Sequence, residues 1–179
     1  MASLLESPAR VRVGRFAFKR FGVSVIGIVR KDANRIWSAS DLRNREIRIA
    51  VVAGEVGEEI ALERYDASPT NGRLIAVDTD DVPSIISQVE MGNADIALTT
   101  GPRWMQHLAR CGTESTERVT IVFADKPLLL VPCGLLVASE HHKFADWLDS
   151  RAAPHWDRPE FQHMRQGIAH QYGGLVQEL

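Results

Sequence analysis

The stretch Ile47–Tyr65, IRIAVVAGEVGEEIALERY, reads as a strand, a glycine turn and a helix in immediate succession. Ile47–Val52 is rich in β-branched and apolar residues, the composition of a strand covered on both faces. Gly54 follows at once, and Glu55–Tyr65 has acids in its first turn and apolar residues at Val56, Ile60 and Leu62. The same grammar continues toward the carboxyl end. Arg73–Val77 is a strand, and Asp80 or Asp81 caps a helix with Pro83 in its first turn, apolar positions Val82, Ile85, Ile86 and Val89, and Gly92 at its end. Asp95–Leu98 is the next strand, Pro102–Cys111 a helix and Val119–Phe123 a further strand. Strands alternating with short helices indicate right-handed parallel crossovers, so Ile47–Phe123 is expected to form one α/β lobe.

On the amino side, Val23–Val29 (VSVIGIV) is a buried strand running into the polar turn Arg30–Asn34, and Ser38–Leu42 gives a short helical turn. Arg10–Arg20 carries five basic residues and no acid, which suits a strand with a solvated face. On the carboxyl side, Leu128–Val137 (LLLVPCGLLV) is interrupted by Pro132 and Gly134, so two short strands, or a crossing segment followed by a strand, are expected there. Phe144–Arg151 and Phe161–Tyr172 read as helices separated by a loop holding Pro154 and Pro159, the second ended by Gly173-Gly174. The expected organisation is a partial first lobe and hinge strand over 1–29, an α/β second lobe over 30–126, and a returning hinge strand with helices over 127–179.

Composition bounds the function. A chain of 179 residues with 45% hydrophobic and 25% charged residues is globular, neither disordered nor rod-like. Lys plus Arg is 21 against 23 acids, a net charge of -2, so nothing in the balance favours nucleic acid or an anionic membrane surface. The longest apolar run, Pro127–Ala138, falls short of the roughly 20 residues a membrane helix needs, and no membrane span is expected. Cys111 and Cys133 either pair or stand as two separate small buried residues. The His141-His142 pair, placed on extended chain, would point to opposite faces, and no cluster has metal-ligand spacing, so no metal site is expected. Nucleophile-elbow, phosphate-loop and dinucleotide signatures are missing from the sequence, which leaves hydrolase and nucleotide-dependent readings without support; no cofactor is implied. Of Trp37, Trp104, Trp147 and Trp156, only Trp104, just past Thr100, is a candidate for a cleft.

The order of motifs resembles the type II periplasmic solute-binding proteins of ABC transporters, in particular the polar amino acid branch. Ser7-Pro8-Ala9-Arg10 followed by Phe16-Ala17-Phe18 is similar to the family's Thr-x-x-Arg segment and Phe-Ser-x-Pro-Tyr strand. Asp41-Leu42 before IRIAVVAG resembles its Asp-Leu-x-Gly-Lys lead. Gly92-Asn93-Ala94-Asp95-Ile96-Ala97 resembles its Gly-x-x-Asp-Ala segment, and Val131-Pro132-Cys133-Gly134-Leu135 its returning strand. The resemblance covers nearly the whole chain and implies one complete α/β lobe plus a partial second lobe joined by a two-strand hinge. The family's opening strand, helix and strand have no counterpart, and Met1–Arg10 lacks a signal peptide, so the chain reads as a truncated product of a periplasmic family. An incomplete lobe leaves an unpaired sheet edge, from which a homo-oligomer through that region is expected.

Ligands of the family sit at the carboxyl ends of strands, and the resemblance carries three loci over. Arg10 matches the arginine that holds a ligand carboxylate, a role suited to a bidentate fork. Gly54, Glu55 and Val56 match the Gly-Thr or Gly-Ser turn, with an acid in place of the hydroxyl. In that place Glu55 either holds an ammonium or merely complements the helix dipole. Thr99 and Thr100 follow the DIAL strand, and Thr100 stands where the family places the aspartate for an α-amino group, so either Glu55 supplies the compensating charge or the ligand is not a free α-amino acid. The resemblance thus implies a small polar solute bound between two lobes, and an ABC permease as partner. Two alternatives share the fold: a cyclohexadienyl or arogenate dehydratase using Glu55 as an acid, and a sensory ligand-binding module.

Overall fold

The computed structural model describes residues 2–32, 36, 38–78, 82–112 and 117–179. In chain order the elements are β1 (Ala2–Leu5), α1 (Pro8–Val11) and β2 (Gly14–Arg30), then a 3-10 turn over Ala39–Arg43. There follow β3 (Ile49–Val52), α2 (Val56–Tyr65), β4 (Leu74–Val77), α3 (Val82–Glu90), β5 (Ile96–Thr100), α4 (Gly101–Cys111) and β6 (Val119–Val122). The chain ends with β7 (Leu129–Ala138), α5 (His142–Trp147), α6 (Ala153–Trp156), α7 (Gln162–Gln171) and β8 (Val176–Glu178). It divides into two compact units, one of Met1–Ser24 with Leu130–Leu179 and one of Val25–Leu129.

In the unit Val25–Leu129, β3 pairs in parallel with both β4 and β5, in registers Ile49↔Leu74 and Ile49↔Ile96. The end of β2 lies antiparallel to β5 on one side and β6 on the other, through Ile28↔Ala97 and Ile28↔Ile121. Strand order is therefore β6-β2-β5-β3-β4. The chain steps outward from β3 to β4, then returns across β3 to β5. Two right-handed crossovers taken in opposite directions put α2 and α3 on opposite faces of the sheet. Both faces are thus covered, which is why Val25, Ile26, Ile28, Ile49, Val51 and Ile96 are all fully buried. α3 buries Val82, Ile85, Ile86 and Val89, the stripe its sequence predicts. The capping role assigned to Asp80 or Asp81, and Trp37, lie outside the described residues.

In the other unit, β1 runs antiparallel to β7 (Leu5↔Cys133), and β2 borders β7 and pairs with β8 (Val23↔Val176). Ala17 and Val137 of the sheet pack on Ala145 and Leu148. Trp156 meets Phe18 and Phe21 edge-on at 5.9 and 5.7 Å and stacks on Phe161 at 5.9 Å. The basic stretch is a solvated strand face that finds acids: Arg15 pairs with Asp146 and Asp149, Lys19 with Glu6, and Arg20 with Asp157. Phe18 sits at φ 55 within β2, and its N–H, turned out of the ladder, donates to Asp149 Oδ1 at 2.8 Å.

Several expectations are corrected here. Leu129–Ala138 is one strand, not two. Pro132 stands opposite Glu6, accepts its N–H at 2.8 Å, and so forfeits only the reciprocal bond, beside the short strand β1. Gly134 lies close against β2, where a Cβ would lie 2.9 Å from the Ala17 carbonyl oxygen. The expected strand Val23–Val29 is the second half of a 17-residue strand. The helix expected over Phe144–Arg151 is α5 followed by a wider π turn over Leu148–Ala152. His141 and His142 enter that helix and do not lie on extended chain. Cys111 and Cys133 fall in different units and form no disulfide; Cys111 is exposed.

Candidate functional site

Because β3 and β5 are parallel neighbours in register, their carboxyl ends, Val52 and Thr100, finish side by side. They also flank the place where the connections reverse direction, the position at which open α/β sheets form a crevice outside their strand ends. Gly54 makes the turn after β3 at φ 73, a conformation that costs glycine nothing. Glu55 then caps α2 in extended conformation. Gly57 lets α2 lie directly on β5: a Cβ there would approach the Leu98 carbonyl oxygen to 2.8 Å, against backbone that cannot yield.

The structure brings Gly54, Glu55 and Val56 together with Thr99 and Thr100, as the sequence suggests. The link between the two turns is an ion pair from Glu55 to Arg103, in the first turn of α4. Glu58, one turn into α2, accepts the Gly54 N–H at 2.7 Å. With Glu59, three carboxylates stand at the amino end of α2 against one guanidinium, a charge balance that complements the helix dipole and favours a cationic group. Thr99 and Thr100 are 2% and 5% exposed. Thr99 Oγ1 has no hydrogen-bond partner among the described residues, and Thr100 begins α4 without a side-chain cap.

Arg10 lies in the other unit, in α1, where Ser7 caps the helix by accepting the Arg10 N–H at 3.4 Å. Its Nη1 donates to the Leu5 carbonyl at 2.8 Å, while Nε and Nη2 keep donors for a carboxylate. Trp104, the one tryptophan that the sequence makes a candidate for a cleft, is 3% exposed and stacks on His107 at 5.6 Å, a core position. Asp95 of the Gly-x-x-Asp-Ala segment is structural, accepting the Arg48 N–H at 2.8 Å where β5 meets β3. Sequence reasoning missed Arg103. The signal was its place three residues past Thr100, facing an acid 48 residues away that only the parallel pairing of β3 and β5 brings near.

Among solved structures, the chain superposes on the arginine-, lysine-, histidine-binding protein ArtJ from Geobacillus stearothermophilus with a TM-score of 0.68 and 13% identity, over 100% of this chain and 70% of that one. For holo ArgBP from T. maritima the TM-score is 0.60 at 18% identity, over 92% of this chain and 66% of that one. For the ancestral amino acid-binding protein AncCDT-1, a precursor of cyclohexadienyl dehydratase, it is 0.63 at 16% identity, over 94% and 66%.

The chain has the fold of the type II periplasmic solute-binding proteins.

It spans just under two thirds of the length of the T. maritima binding protein, 66%. No known family profile and no curated protein matches the sequence. Within the binding-protein fold, the turns after β3 and β5 are the strand ends described above. No group of three or more metal-ligating side chains occurs among the described residues, and no described helix is long and apolar enough to cross a membrane.

Proposed function

We propose that the chain is the ligand-binding part of an extracytoplasmic uptake system, holding a small amino acid-like solute at the carboxyl ends of β3 and β5. The observation that carries this reading is the meeting of the Gly54–Val56 turn with Thr99 and Thr100 where the strand order reverses, with a buried hydroxyl left unpartnered. Glu55 and Glu58 favour a ligand that presents an ammonium or other cationic group. Arg103 is the proposed partner of its carboxylate. A periplasmic location and an ABC permease that recognises the liganded protein belong to the same proposal.

A thermal-shift series with L-arginine, L-lysine, putrescine and L-glutamate tests it. A ligand at 100 times its dissociation constant is expected to add about 2.7 kcal/mol of stability, the cationic compounds ahead of glutamate. Glu55→Gln is expected to remove most of that gain and Arg103→Gln to reduce it for the amino acids only. The absence of any gain, or a full gain in both variants, overturns the assignment. The dehydratase alternative is decided in parallel by incubating the protein with prephenate and arogenate: product formation would replace a binding role with turnover.

Self-association is proposed through the unit holding both chain ends, which exposes Val11, Val13, Phe144 and Trp147, the last two stacked at 6.0 Å. Light scattering is expected to report a mass above 19.9 kDa that rises with concentration; a monomer throughout contradicts it.

A further inference from the structure

Away from the strand ends, the second half of α4 carries a stripe that the proposed function does not use. Gln106 and His107 stand four and three residues before Arg110, the spacing that places side chains on one helix face, with Arg103 of the first turn at their amino end. With Cys111, and Pro83 of α3 opposite, they line a cavity of about 190 Å³ within the unit Val25–Leu129. Taking about 30 Å³ per water, the hollow holds roughly six waters, the size of a small ligand.

His107 makes this hollow unusual. It is 7% exposed, yet neither ring nitrogen has a hydrogen-bond partner among the described residues. A neutral imidazole brings one donor and one acceptor, and burying both unsatisfied is costly unless something in the cavity meets them. Trp104 stacks on the ring at 5.6 Å and 29°, fixing its plane. Arg103 is held by Glu55, whereas Arg110, on the rim, has no acidic partner among the described residues. Among the described residues donors thus outnumber acceptors around the space: a planar guanidinium fork, an amide and an imidazole N–H.

We propose that the hollow between α3 and the second half of α4 is an anion site, taking a small ligand with a tetrahedral oxyanion or a carboxylate that bridges Arg110 and His107. It shares Arg103 with the β3–β5 strand ends but is centred farther along α4, Arg110 lying seven residues from Arg103, about 10 Å at the helical rise. Burial holds the His107 imidazole below its ordinary range, and Glu90 of α3 opposes that shift. Among the described residues the charged groups around the ring are then Glu90 from α3 and Arg103 and Arg110 from its own helix. Near neutral pH the ring is uncharged. An anion beside it favours the protonated form, so affinity rises as pH falls.

The test follows the His107 ring protons by NMR, assigned with His107→Gln, while sulfate or succinate is added at constant ionic strength against chloride. Both probes report the shared chemistry and separate its two sources: saturation by sulfate alone means a tetrahedral oxyanion ligand, by succinate alone a carboxylate. A saturable shift that weakens at least about tenfold in Arg110→Gln, a rim variant outside the proposed solute site, and that tightens from pH 7.5 to about 5.5, supports the proposal. Linear, chloride-like drift with both probes, or saturation undiminished in Arg110→Gln, overturns it. The wild-type titration alone decides between saturation and drift, so the outcome does not depend on either variant folding.

Discussion

Arg73→Met is expected to destabilise the protein by about 3–5 kcal/mol, among the largest effects of any single substitution. Arg73 is 4% exposed, and its guanidinium spans three separate pieces of backbone. Nε donates to the Ile47 carbonyl at 3.1 Å, Nη1 to that of Tyr65 at 2.6 Å, and Nη2 to that of Leu42 at 2.5 Å. The segment before β3, the end of α2 and the 3-10 turn are therefore tied to the start of β4 by one side chain. Methionine refills most of the volume but leaves three buried carbonyls without a donor, each at a cost of about 1–3 kcal/mol before relaxation. Arg73→Lys keeps the charge and loses the fork, and is expected to recover only part of the loss. Urea unfolding of the three proteins measures both differences; a loss below about 1 kcal/mol for Arg73→Met would mean the carbonyls find other partners.

Trp104→Ala is expected to cost a comparable amount, about 3–5 kcal/mol, because a buried indole is replaced by a cavity. This result separates the two readings of that residue. A cleft tryptophan could be removed with little loss of stability and a large loss of ligand response, whereas a core residue behaves in the opposite sense. Its 3% exposure and its stacking on His107 put it in the core. Guanidinium unfolding alongside the ligand thermal shift distinguishes the cases: a variant as stable as wild type would return Trp104 to a cleft.

How far the sequence could be read follows from how local each feature is. α3 is legible because its stripe, Val82, Ile85, Ile86 and Val89, is a property of nine consecutive residues. α2 is half legible. Its extent is foreseen, but Leu62, expected inside, is 42% exposed, while Gly57 and Ala61 are buried, small residues that let the helix lie close to β5 and that apolar counting undervalues. β1 and β8 are not foreseen, since three or four residues become a strand only through a partner far along the chain: β8 pairs with β2 across about 150 residues. α1 had a local signal that went unused, a serine cap with proline at the first helical position. At the candidate site, Gly54–Val56 is visible as a strand-end turn and Thr99–Thr100 as a strand end, but Arg103 is not, because its partner Glu55 reaches it through strand pairing. Arg73 illustrates the same limit from within the core: an arginine is ordinarily a surface residue, and only the three carbonyls that meet it make it an interior one.

The division of the chain into Val25–Leu129 and a unit assembled from Met1–Ser24 and Leu130–Leu179 bears on how the protein is made. During synthesis the central segment leaves the ribosome with every strand and helix of its own unit already translated. The first 24 residues emerge earlier, yet β1 and the front of β2 wait for β7 and β8, which come from the last fifty positions. Until β7 and β8 are made, the nascent chain carries these early segments without their sheet neighbours, the state in which strand edges are most open to capture by other molecules.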